Sequence, residues 1–203
     1  MSWRTGRGPI VLGLLAIILF HAEVPDAHED HALQIVAKGG RYKRSVHTYP
    51  LPDVILLNQD GKKVRFREAV NSGKPVLLNF VFTTCTTICP PLAAGFARFQ
   101  DAMGKEAAEA SLISISIDPE HDTPAAMKKY LERFGAQPGW NFLTGKPGDV
   151  ARLTKAFEAH ADNKMNHYPL TFLRAPGSDM WVRIYGLLST SELVAEYRKL
   201  SKE

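Results

Sequence analysis

"KPVLLNFVFTTCTTICPPL", residues 74–92, holds the only two cysteines of a 203-residue chain, Cys85 and Cys89. Its first half, residues 74–82, is apolar without alternation, which predicts a strand buried on both faces. Such a strand needs covering layers on two sides, and so points to an α/β fold. Pro90 and Pro91 then stand where a helix can begin, with Leu92, Phe96 and Phe99 at helical spacing. In sheets of this kind ligands gather beyond the carboxyl ends of the strands. The cysteine pair, a few residues past its strand, is therefore expected at a functional edge.

The rest of the chain supports that reading. "DVILLNQDGKKVRF" (53–66) predicts a hairpin around Asp60-Gly61, and "SLISISI" (111–117) a second buried strand. "DTPAAMKKYLERFG" (122–135) predicts a helix with Thr123 as N-cap, Pro124 at the first position and Gly135 closing it. "GDVARLTKAFEAHA" (148–161) is a further helix. "PLTFLRAPGSDMWVRIYG" (169–186) is a hairpin turning near Pro176-Gly177, and "STSELVAEYRKL" (189–200) a closing helix capped by Thr190 or Ser191. This order predicts a central mixed sheet with helices on both faces.

Composition narrows the options. With 45% hydrophobic residues, the chain can build a core without a disulfide framework. The formal charge of +4 is spread out, apart from a short basic patch at Arg41, Lys43 and Arg44. No basic helix or aromatic-interleaved basic run supports nucleic-acid binding. At the N-terminus Arg4 and Arg7 precede the apolar run 9–20, as in an export signal. The run is shorter than the roughly 18 residues of a clear membrane span. No small-x-small cleavage site ends at Ala22 or Ala27, no lipobox cysteine follows, and Arg4 and Arg7 are not a twin-arginine pair. Residues 1–22 are accordingly expected to be a signal peptide or membrane anchor. Residues 23–51, with Gly39, Gly40 and Pro50 as breakers, are expected to be a flexible tether, and 52–203 the folded domain. The charge asymmetry orients that domain extracytoplasmically, on the periplasmic side of the inner membrane.

At helical spacing, residues four apart share a face, so Cys85 and Cys89 can aim at one ion or close a disulfide. A helix beginning near Pro90 favours the thiolate form. Two thiolates suit Cu(I) or zinc. Structural zinc usually takes four protein ligands, and only two sulfurs exist, so histidine has to complete any site. On these residues alone a metal site, a redox couple and a buried or disulfide-bonded pair all stay open.

The stretch "NFVFTTCTTICP" resembles the signature of the Sco/SenC copper-chaperone family, which assists cytochrome c oxidase assembly. "SISIDPEHDTP" (114–124) is similar to that family's strand and acidic loop, and "NHYPLTFL" (166–173) to the segment carrying its single ligand histidine. The resemblance covers roughly residues 52–200. It implies a thioredoxin-like fold behind an N-terminal membrane anchor, and copper, Cu(I) or Cu(II), held by Cys85, Cys89 and His167. It places Asp118 close to the site. The implied partner is a cytochrome c oxidase subunit, another copper protein or a further copper chaperone. The alternative is a thiol–disulfide oxidoreductase with Cys85 and Cys89 as its redox pair, reducing a partner's copper-ligand cysteines. Pro169 keeps that alternative open, because "YPLTFL" resembles the cis-proline segment of thioredoxin-like oxidoreductases. A peroxidase has less support, since Phe82 and Thr83 precede the pair without a third cysteine or the full peroxidatic pattern.

Of the seven histidines, only His167 matches the motif. His121 is expected to be exposed, His160 to sit near a helix end, and His47 to lie in the linker. His21, His28 and His31, with Glu23, Asp26, Glu29 and Asp30, suit a solvated tether, with weak copper recruitment as the sharper reading. Asp118 and Asp122 read as loop residues between strand and helix rather than as a catalytic carboxylate pair.

Overall fold

The computed structural model describes residue 1 and residues 42–200. The apolar run 9–20 and the histidines of the acidic stretch lie outside the described residues. Among the described residues, no helix is long and apolar enough to cross a membrane.

The centre of the fold is β4 (Val76–Val81), all of whose residues are buried. It pairs in parallel with β5 (Ser111–Ser116), and β5 pairs in parallel with β6 (Trp140–Thr144). On its other side β4 takes β7 (Leu170–Arg174) antiparallel, and β7 continues by a hairpin into β8 (Met180–Gly186). The hairpin β2 (Ile55–Asn58) to β3 (Lys63–Arg65) pairs antiparallel onto β6. With β1 (Tyr42–Thr48) the strand order is β1-β8-β7-β4-β5-β6-β2-β3, the expected mixed sheet. Both hairpins turn where the sequence predicts, through Gly61 and Gly177 at φ 73° and 70°, a region that only glycine enters without strain.

Alternation along β4 separates two cores. Leu77 and Val81 face one, with α2 (Cys89–Met103), α3 (Pro124–Arg133) and α5 (Thr190–Lys199) packed over them through Leu92, Phe96, Phe99, Met127, Tyr130 and Leu193. Val76, Leu78 and Phe80 face the other, beneath α1 (Phe66–Val70) and α4 (Pro147–Ala156), with Phe66, Leu153, Phe157, Phe172 and Trp181. Helices thus cover both faces, as expected.

Three expectations are corrected. The tether assigned to 23–51 contains β1, and His47 with it. Tyr42–Thr48 pairs along the whole of β8, from Tyr42 with Gly186 to Thr48 with Met180. Backbone bonds make this edge strand, so its polar composition gives no warning. Tyr42 Oη and Arg44 Nε add bonds of 2.9 and 3.0 Å to the buried Glu196 of α5. The helix expected over 148–161 ends at Ala156, because the chain leaves through Glu158 at φ 51°; His160 lies beyond it, its Nδ1 3.4 Å from Thr154 Oγ1. The cap of α5 is Ser189, not Thr190 or Ser191, and it forms a capping box with Glu192. Thr123 caps α3 as predicted, accepting from the Ala126 amide at 3.2 Å.

Candidate metal centre

The site forms where three loops meet at one edge of the sheet. β4 and β5 run parallel and end together, at Val81 and Ser116. Cys85 follows the first exit, and Asp118 and Asp122 follow the second. β7 is antiparallel to β4, with Thr171 opposite Asn79. Its entrance therefore lies beside the exit of β4, and this brings His167 to the cysteines across 78 residues of chain.

Cys85 and Cys89 do not share a helix face. Cys89 is the first residue of α2, and Cys85 lies in the loop before it. Cys85 Sγ accepts the Cys89 amide at 3.4 Å, one of the N–H groups that a helix start leaves without an intrahelical acceptor. Thr87 Oγ1 is 3.6 Å from the same sulfur. Burial opposes ionisation of Cys85, but hydrogen bonds from Cys89 and Thr87 outweigh it and leave its pKa below the ordinary thiol value. Cys89 goes the other way: burial first, then neighbouring Cys85, push its thiol well up. Helix-end stabilisation thus reaches the loop sulfur and not the one on the helix. Both cysteines are buried and free.

His167 is buried, with Nε2 3.2 Å from Cys89 Sγ. Its Nδ1 lies 2.7 Å from the Lys164 carbonyl. A carbonyl can only accept, so Nδ1 carries the proton and the Nε2 lone pair faces the sulfurs. Burial holds the imidazole below its usual pKa, which favours this neutral form. One donor atom each from Cys85, Cys89 and His167 lies within 4.8 Å of the others. Two soft sulfurs and one imidazole suit Cu(I).

One supporting residue, Asp122, escapes a sequence reading, while Asp118 is the acidic residue that the resemblance places close to the site. Asp122, which reads as a loop residue ahead of a cap, is buried and works as a hub. Its carboxylate accepts the Thr83 amide at 3.1 Å, the Thr83 hydroxyl at 2.5 Å and the Ser116 hydroxyl at 2.6 Å. It thereby ties the cysteine loop to the end of β5. Burial raises its pKa against the hydrogen bonds from Ser116 and Thr83. Asp118 is buried and holds Lys164 Nζ at 2.5 Å and His121 Nδ1 at 2.9 Å. Burial would raise its pKa, yet Lys164 and His121 bring it below the ordinary carboxylate value. His121 itself is exposed, as expected. The only advance signal for Asp122 was the pair of serines, Ser114 and Ser116, on one face of an otherwise apolar strand end. Among the described residues no peptide bond is cis, so Tyr168-Pro169 is trans and the cis-proline likeness does not extend to its geometry.

Sheet order, helix placement and a thiol pair at the start of α2 define a thioredoxin-like domain with a sulfur–imidazole donor cluster at the exit of its central strands. Residues 52–202 match the SCO1/SenC family model, and the chain belongs to that family. A SCO1 protein homolog of Bacillus subtilis (strain 168) is 35% identical over 114 residues, covering 56% of this chain and 58% of the relative; the chain thus spans a little over half of that relative's length. Among solved structures, BsSco, a member of the Sco family of cytochrome c oxidase assembly proteins with an identified disulfide switch, is 26% identical at a TM-score of 0.63, covering 76% of this chain and 94% of its own. Bradyrhizobium japonicum ScoI with copper bound is 27% identical at a TM-score of 0.57, covering 76% of this chain and 98% of its own.

Proposed function

We propose that the chain is a copper-binding chaperone of cytochrome c oxidase assembly that carries copper on Cys85, Cys89 and His167. One observation carries the reading: the Nε2 lone pair of a buried, neutral histidine faces Cys89 Sγ, because Nδ1–H is committed to the Lys164 carbonyl. Copper is the cargo. The lowered pKa of Cys85 supplies one thiolate readily, while Cys89 gives up its proton on ligation. A low-coordinate donor set leaves room for a client's ligands to enter and displace these residues one at a time. The working location is extracytoplasmic, on the periplasmic side, with residues 1–22 as signal or anchor.

The test is Cu(I) titration of the reduced full chain against a chromogenic chelator. One equivalent should bind, and the double variant Cys85→Ser, Cys89→Ser should lose it. Stoichiometric binding that survives in the double variant ends the assignment.

The thiol asymmetry favours a second reading. A Cys85 thiol held below the ordinary value beside a Cys89 thiol pushed well above it suits a thiol–disulfide reductase. The Cys85 thiolate would attack a client disulfide and Cys89 would then displace the reduced client, leaving a Cys85–Cys89 disulfide. His167→Ala separates the two readings: oxidase assembly in cells should collapse if the chain carries copper, and persist if it only reduces a client.

A further inference from the structure

Lys164 touches all three segments that build the centre. Its backbone carbonyl accepts His167 Nδ1–H at 2.7 Å. Its ammonium is 2.5 Å from Asp118 Oδ2 on the loop that follows β5. The same nitrogen lies 5.5 Å from the centroid of the Phe82 ring, at the root of the cysteine loop, within cation–π range. Phe82 in turn meets the His167 ring edge-on at 5.3 Å. The residue sits in a single turn of 3-10 helix, Lys164–Asn166, whose own bonds are few: the Met165 amide to Asn163 Oδ1 at 2.9 Å, the Asn166 amide to the Asn163 carbonyl at 2.9 Å, and the His167 amide to the Lys164 carbonyl at a long 3.3 Å.

An exposed ion pair would contribute little. Here the Lys164 side chain is 36% exposed, but its partner carboxylate is only 6% exposed. Asp118 is anchored from behind, its amide donating to Ser116 Oγ at 3.0 Å. Ser116 is bound in turn to Asp122, and Asp122 to Thr83. A continuous chain of polar contacts therefore runs from the cysteine loop through the acidic loop to Lys164, whose own carbonyl accepts His167 Nδ1–H. We infer that Lys164 is the positioning residue of the centre: its side chain, clamped between Asp118 and Phe82, holds the Lys164 carbonyl where it keeps His167 Nε2 free and aimed at Cys89. The inference rests on the proposed copper role for its effect on affinity, but not for its effect on the tautomer.

The experiment uses the reduced full chain labelled with 15N-histidine, with the His167 resonances assigned by a His167→Asn variant. The wild type should show the Nδ1–H form. Lys164→Ala keeps the carbonyl but removes the clamp. It should populate the Nε2–H form and weaken Cu(I) binding by roughly tenfold, the low end of the usual loss when the partner of a ligand is disturbed. Lys164→Arg, which can still pair with Asp118 and cover Phe82, should recover both readouts. In an Asp118→Asn background, Lys164→Ala should cost almost nothing further. An unchanged tautomer in Lys164→Ala, or no recovery by Lys164→Arg, overturns the clamp. A wild type that binds no Cu(I), yet shifts tautomer on Lys164→Ala, refutes the copper reading and supports the clamp.

Discussion

The two faces of the sheet divide the labour. Under α1 and α4 the core is an aromatic cluster. Phe157 lies at ring distances of 5.0–6.0 Å from Tyr49, Phe66, Phe80, Phe172 and Trp181, mostly edge to face. Under α2, α3 and α5 the core ends in two thiols, and the strand above it carries Ser114 and Ser116 where the opposite face of the same strand has Ile113 and Ile115. Close-packed rings resist distortion without needing partners. Buried polar groups hold only while every partner is present. The aromatic face can therefore supply rigidity, while the polar edge supplies an arrangement that is specific and easily broken.

The largest effect should come from breaking the rigid side. Phe157→Ala should lower stability by about 3–5 kcal/mol, read from the urea midpoint. The relative alkylation rates of Cys85 and Cys89 in the chains that remain folded should stay as in the wild type. A changed rate ratio would mean that the two faces are coupled and the division is false.

A smaller loss should follow from breaking the polar edge. Asp122→Ala leaves the Thr83 amide and hydroxyl and the Ser116 hydroxyl without their acceptor. The expected cost is about 2–3 kcal/mol, and this time alkylation of Cys85 should rise in the native protein as its loop loosens. Equal destabilisation with unaltered thiol reactivity would show that something else holds the loop.

The smallest and sharpest effect is on pH dependence. Burial holds the His167 imidazole below its usual pKa, so the unfolded chain takes up a proton that the folded chain refuses. Stability from this residue is present above about pH 6.5 and is lost as pH falls through the folded value. Asp122, raised by burial, has the opposite sign: its contribution is full below about pH 4 and is lost as pH rises through the folded value. Between pH 7 and 5.5 the wild-type urea midpoint should therefore fall more than that of His167→Ala. Equal slopes would mean that the imidazole is not held neutral.

Much of this could be read along the chain. The run 76–81, apolar except for Asn79, the paired prolines after Cys89 and the Thr123-Pro124 start of α3 declare their structures locally. Burial on both faces, fixed proline φ and an N-cap oxygen are properties of short segments. The cysteine pair and His167 were visible as motif residues for the same reason. Other features depend on contacts between distant segments. Tyr42–Thr48 became a strand because β8 offered it an edge; Tyr42 and Val46 suit a strand, but the basic and polar residues between them mask the pattern. The pairing of an ionisable Cys85 with a protonated Cys89 depends on where α2 begins, and one residue earlier or later would redirect the helix amide. Asp122 and Lys164 look like ordinary loop charges in sequence. They became the supports of the site only because β4 and β5 end together while the antiparallel β7 starts beside them, bringing three loops within hydrogen-bonding distance at one buried edge.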